Sequence, residues 1–143
     1  MNLDRYTIKA QEAVQGAQTM AQRSEHPELG TAHLLLALMV QEGGLVAPVL
    51  QKIGADLAQI KLQAVALVEK LPTQRGGDVH ISSDLRRALQ TAEDEAGRLK
   101  DDYVSTEHML LALAQNKDDT ARILKDAGAA RAELLKAIQS IRG

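Results

Sequence analysis

Apolar positions within Ser83–Lys100 recur every three or four residues, at Leu85, Leu89, Ala92, Ala96 and Leu99. That spacing predicts a helix with one apolar stripe and a charged remainder. Ile8–Arg23 is built alike, on Ala13, Val14, Ala17 and Ala21. Thr7 and Ser82 stand directly before these runs, and both are N-cap residue types. Two shorter runs, Thr31–Gln41 and Thr106–Gln115, are apolar nearly all round and are predicted to be buried helices. A third pair of helices ends at Gly54 and Gly128, where glycine suits the left-handed closing geometry. A fourth pair follows at Leu57–Lys70 and Ala132–Ile141. Only Val79–Ile81 hints at a strand.

The pattern is written twice. TAHLLLAL at Thr31–Leu38 returns as TEHMLLAL at Thr106–Leu113. Ala13, Ala17 and Ala21 align with Ala88, Ala92 and Ala96, and LQKIGAD at Leu50–Asp56 aligns with LKDAGAA at Leu124–Ala130. The chain therefore reads as an all-α fold of about eight helices in two four-helix repeats. Repeat one covers 1–70, a connector 71–81 and repeat two 82–143. A unit of roughly 65 residues buries too small a fraction of its surface to be stable alone. The two repeats are expected to pack about a pseudo-twofold axis as one domain spanning 1–143. In the connector, LPTQRGGDVHI, Pro72 stops the preceding helix and Gly76–Gly77 make a flexible turn.

Composition narrows the function. Tyr6 and Tyr103 are the only aromatic residues, so the core must be aliphatic. The net charge of −2 is spread over interspersed signs, which excludes the concentrated basic patch of a nucleic-acid binder. Without cysteine there is neither a disulfide nor a thiolate metal site. The N-terminus has no apolar signal region, and no apolar run approaches the ~18 residues of a membrane span. A cytoplasmic protein without a membrane partner is expected.

Candidate chemistry is sparse. The histidines are His26, His33, His80 and His108, and none stands four from another on a helix with a neighbouring glutamate. His33 and His108 occupy matching places and are expected to bond locally at their helix starts rather than hold a metal. Asp101–Asp102 and Asp118–Asp119 fall at turns and helix starts, where carboxylates suit the helix dipole. No nucleophile or oxyanion motif accompanies them. Neither Gly43–Gly44 nor Gly76–Gly77 belongs to a phosphate-binding loop, so no enzyme and no nucleotide cofactor is expected here. Tyr6 and Tyr103, each shortly before a helix, offer contact area with a polar tip. Glu107 breaks the repeat, standing where the first copy has Ala32.

MNLDRYTIKAQEAV, GTAHLLLALMVQEGG, STEHMLLALAQNKDD and LKDAGA together resemble the Clp N-terminal domain, the duplicated helical module of Clp-type AAA+ unfoldases. The resemblance covers essentially the whole chain. NLDRYT, QEGG with VAPVLQKIG after it, and LPTQRGGDVHISSDL are similar to the ClpB-type disaggregases. The chain stops at SIRG, where such a protein would begin the linker to its first ATPase module. The resemblance implies a substrate-binding module that captures unfolded or aggregated polypeptide for a downstream ring. It implies ATP and magnesium only in the parent's ATPase modules, a hexameric parent, and a monomeric isolated domain. In the degradative Clp unfoldases the same module docks a folded adaptor, which is the alternative. The family's polar binding residues match Thr7, Asp101 and Glu107, beside an apolar groove, with Tyr6 and Tyr103 on its rim. Arg86, Arg87 and Thr91 depart from a purely apolar lining if the long helix of repeat two borders that groove.

Overall fold

Both long helices begin on a hydroxyl cap. In the computed structural model, which describes residues 2–143, Thr7 Oγ1 accepts from Ala10 N at 3.1 Å and Ser82 Oγ from Leu85 N at 3.0 Å. Eight helices lie among the described residues. Repeat one supplies α1 (Ile8–Arg23), α2 (Thr31–Val40), α3 (Val46–Lys52) and α4 (Leu57–Glu69). Repeat two supplies α5 (Ser83–Arg98), α6 (Thr106–Gln115), α7 (Asp119–Asp126) and α8 (Arg131–Arg142). Replacing Thr7 by alanine removes one cap bond and should lower stability by about 1 kcal/mol in a urea titration.

Helix ends are set by backbone geometry. α3 and α7 close on Gly54 and Gly128, each at φ 81. The following amides, Ala55 N and Ala129 N, reach back to Leu50 O and Leu124 O at 3.0 and 2.8 Å, satisfying carbonyls the helix leaves open. α5 ends at Arg98, short of the predicted Lys100, because Lys100 takes the left-handed conformation at φ 58. Glu25 does the same after α1. Neither residue is a glycine, so the pattern of apolar positions carries no stop signal there.

The repeats interlock reciprocally. Strand β1 (Glu28–Leu29), before α2, pairs in parallel with β2 (His80–Ile81), before α5. At the opposite end Tyr6, before α1, pairs with Val104, before α6. α3 packs on α8 as α4 packs on α7, and α2 and α6 meet at the centre. Thr31–Leu38 and Thr106–Leu113 are buried throughout, inside an apolar cluster drawn from both repeats. The connector is pinned by Gln74 N to Glu25 O at 2.8 Å, His80 N to Pro27 O at 2.9 Å and Ser82 N to Leu29 O at 2.9 Å. The strand hint at Val79–Ile81 thus becomes a two-residue strand that ties the connector to repeat one.

Candidate functional site

The start of α6 is assembled from three helices. His108 is fully buried; its Nδ1 accepts from Ser105 N at 2.8 Å, so its proton sits on Nε2 and is donated to Asp101 Oδ2 at 2.7 Å. Asp101 follows α5. From the last turn of α8, Arg142 donates through Nε and Nη2 to Glu107 Oε2 at 3.2 and 3.0 Å. Its Nη1 lies 3.0 Å from Asp101 Oδ2. Burial pushes both carboxyls up, yet both are held below their ordinary values: Asp101 by His108 and Arg142, Glu107 by the Ser105 hydroxyl, its own backbone N–H and Arg142. The corner therefore carries two ionised carboxylates spanned by one guanidinium.

Beside this corner lies an open groove of about 380 Å³, lined by Thr7–Lys9, Gly43–Leu45 and Ser105–Glu107. Its walls include Ile8, 70% exposed, and Leu45, 36% exposed. The main chain fixes the distance between the two helix starts, since Thr7 N donates to Val104 O at 2.9 Å. Past Lys9 and Gly43 a larger depression of about 590 Å³ continues between α1 and α2, over Gly16, Met20, Ala37 and Val40. Lys9 bridges the two by donating from Nζ to Glu42 O at 2.7 Å.

The structure brings Thr7 and Glu107 into one groove, sets Asp101 against Arg142, and leaves Tyr103 56% exposed nearby in sequence. Tyr6 departs from the expectation of a rim residue: it is 5% exposed. Its backbone pairs with Val104 and turns the ring inward, where the phenol meets Glu93 Oε2 at 3.4 Å. Burial and that carboxylate push its pKa up to about 12. Arg86, Arg87 and Thr91 do not line the groove; Arg86 and Arg87 are exposed, and Thr91 bonds back to Arg87 O at 3.1 Å. Ile8, Leu45 and Arg142 are the residues that sequence reading missed.

The pseudo-twofold mate of this site is a smaller depression of about 220 Å³, bordered by Asp84, Asp118 and Asp119. Where α6 presents Glu107 to Arg142, α2 presents Ala32, which lines a depression with Leu67. Thr31 Oγ1 contacts both Asp118 Oδ2 and Thr120 Oγ1 at 2.8 Å, so the start of α2 is occupied by internal hydrogen bonds. The mate of the α1–α2 depression is occupied by side chains. Glu95 and Gln115 stand where repeat one has Met20 and Val40, and they join Arg131 in a buried polar plug. The groove beside Glu107 differs from its mate in carrying the exposed side chains of Ile8 and Leu45. Among the described residues no cluster of acidic and histidine side chains could hold a metal ion, and no helix is long and apolar enough to cross a membrane.

The model of the Clp repeat (R) N-terminal domain matches residues 5–127. The chain belongs to the Clp repeat N-terminal domain family. It is 36% identical over 148 residues to the chaperone protein ClpB of Bacillus cereus, a match that covers 100% of this chain and 17% of that protein. The chain thus spans a small part of the relatives it resembles, and the part is the family's N-terminal domain. Among solved structures, the Hsp104 N-terminal domain from Candida albicans superposes with a TM-score of 0.84 at 20% identity, covering 98% of this chain and 93% of that one. A ClpV N-domain in complex with a VipB peptide gives 0.74 at 18% identity, covering 96% and 93%. At such identities these two likenesses show the fold.

Proposed function

We propose that this domain captures unfolded or aggregated polypeptide for a ClpB-type, ATP-driven ring, binding it in the groove between the starts of α1 and α6. The observation that carries this reading is the asymmetry of the site: Ile8 and Leu45 stand exposed in a groove of about 380 Å³ beside a carboxylate corner, while the pseudo-twofold counterpart is smaller, about 220 Å³, and bordered by Asp84, Asp118 and Asp119. Apolar client side chains gain about 25 cal/mol per Å² buried there, and ordering a flexible chain offsets much of that gain. Weak, sequence-tolerant binding results, which suits a module that passes its client on. The chain acts as one unit over 1–143, without a cofactor of its own; ATP, magnesium and hexamer formation belong to the rest of a cytoplasmic parent. The ClpV N-domain solved with a VipB peptide supports peptide binding on this fold and keeps adaptor docking as the second reading.

The test is an amide NMR titration with a permanently unfolded, apolar-rich polypeptide. Shifts should gather on Thr7, Ile8, Leu45, Tyr103 and Glu107. Ile8→Asp should weaken binding about tenfold while leaving the fold unchanged, because a side chain that is 70% exposed contributes little to the core. Absence of shifts at near-millimolar polypeptide would sink client capture and turn attention to a folded adaptor.

A further inference from the structure

Arg142 is the most exposed of the three charged side chains at this corner. Glu107 is 5% exposed, and its Oε2 already accepts from Nε and Nη2 of Arg142. Asp101 Oδ2 is shared by His108 and Arg142. The Arg142 side chain is itself 35% exposed. A chain arriving from solvent finds less of Glu107 uncovered than of the guanidinium. That group carries five N–H donors in a planar fork, more than its contacts with the two carboxylates engage. Exposed apolar area adjoins it in sequence, at Ile141 beside Arg142 and at Tyr103 after Asp101–Asp102.

Electrostatics select the group that Arg142 would bind. Two carboxylates outnumber one guanidinium, so the cluster is net negative and disfavours an anion. A cation would have to break Arg142 away from contacts of 3.0–3.2 Å. A main-chain carbonyl is a neutral acceptor, meets neither obstacle, and is offered by every polypeptide. We infer that Arg142 is the residue that binds the client at this corner, through backbone carbonyls of an extended apolar-rich segment, and that Asp101 and Glu107 are positioning residues acting through it. This rests on the client-capture reading and reassigns the roles within it.

The experiment measures binding of a fluorescent, permanently unfolded apolar-rich polypeptide to the whole chain and its variants. Arg142→Gln should weaken binding about tenfold, the scale of a hydrogen bond to a charged group. Arg142→Lys, which keeps the charge and loses the fork, should fall between. Glu107→Gln should weaken binding in the native background and change nothing when combined with Arg142→Gln. The Arg142 Nε–H resonance of the unmutated chain should shift saturably with added polypeptide, a readout independent of any variant's folding. If the two losses multiply, Glu107 touches the client itself and the inference is overturned. Tighter binding by Arg142→Gln also overturns it, because Arg142 would then be a plug that the client displaces. An unmoved Nε–H signal while Ile8 and Leu45 shift overturns the role of Arg142 alone. Absence of any binding by the unmutated chain overturns client capture and the inference with it.

Discussion

Arg131→Met should destabilise the fold by about 3 kcal/mol, at the lower end of the 3–5 expected when a buried ion pair loses one partner. Glu95, on α5, is 0% exposed. Arg131 grips it from α8 with Nε–Oε2 at 2.7 Å and Nη2–Oε1 at 3.0 Å. Arg98 Nη1 and Gln115 Nε2 add contacts at 3.0 and 3.1 Å. Burial pushes the Glu95 carboxyl up, but Arg131 first, and then Arg98 and Gln115, hold it below its ordinary value of 4.5. Without Arg131 a charge stays buried with one amide and one arginine that is itself 61% exposed. Those remaining partners place the loss at the lower end.

The sign follows from linkage. In the native chain the lowered Glu95 pKa contributes stability above the unfolded value, and that contribution fades as pH falls through the folded value. In Arg131→Met burial dominates and the folded pKa rises, so protonation relieves the variant. Its deficit should be largest at pH 7 and shrink by pH 4 in urea titrations. The double variant Glu95→Leu with Arg131→Met should recover most of the loss, because it leaves no buried charge. An equal deficit at both pH values would show that Arg131 matters through packing and not through charge.

The same plug shows what the sequence displayed and what it hid. The helices are legible because their apolar spacing, caps and closing glycines are local signals, and the duplication doubles each of them. Burial of α2 and α6 follows from their being apolar on every side. Glu95 reads as one more polar residue on a charged helix, because its partners come from α6 and α8. Arg142 is hidden in the same way: its pairing with Glu107 depends on where α8 ends in space. One signal was available. Aligned residue by residue, the repeats exchange Ala32 and Val68 for Glu107 and Arg142, and Met20 and Val40 for Glu95 and Gln115. Paired exchanges of apolar for polar residues mark contacts rebuilt between the copies. Tyr6 fails for the opposite reason, since residues before a helix look exposed until the bridge to Val104 covers them.

Acidification should remove about 3 kcal/mol of stability between pH 6.5 and about 4, through a histidine pair in repeat one. His33 Nδ1 accepts from Gly30 N at 3.0 Å, so its single proton lies on Nε2 and points to His26 Nδ1, 3.0 Å away. His33 is 0% and His26 5% exposed. A second proton on His33 would face the Gly30 N–H. Burial first, and then the neighbouring His26, push the His33 pKa from 6.5 down to about 4. The unfolded chain therefore binds more protons across that window, and stability must fall as pH drops through it. Repeat two avoids the conflict by placing Asp101 where repeat one has His26, giving the matching imidazole a carboxylate to donate to. His33→Gln should flatten the slope between pH 6.5 and 4.5, because the glutamine oxygen can still accept from Gly30 N in a capping-box arrangement. The paired carboxylates add to the slope in both chains, so the difference between the native chain and His33→Gln isolates His33. An unchanged slope in His33→Gln would refute the assignment. His26 lies between Glu25 and Pro27, whose carbonyls anchor the connector through Gln74 and His80. Amide exchange in acid should therefore accelerate first at Gln74 and His80, before the α6 amides.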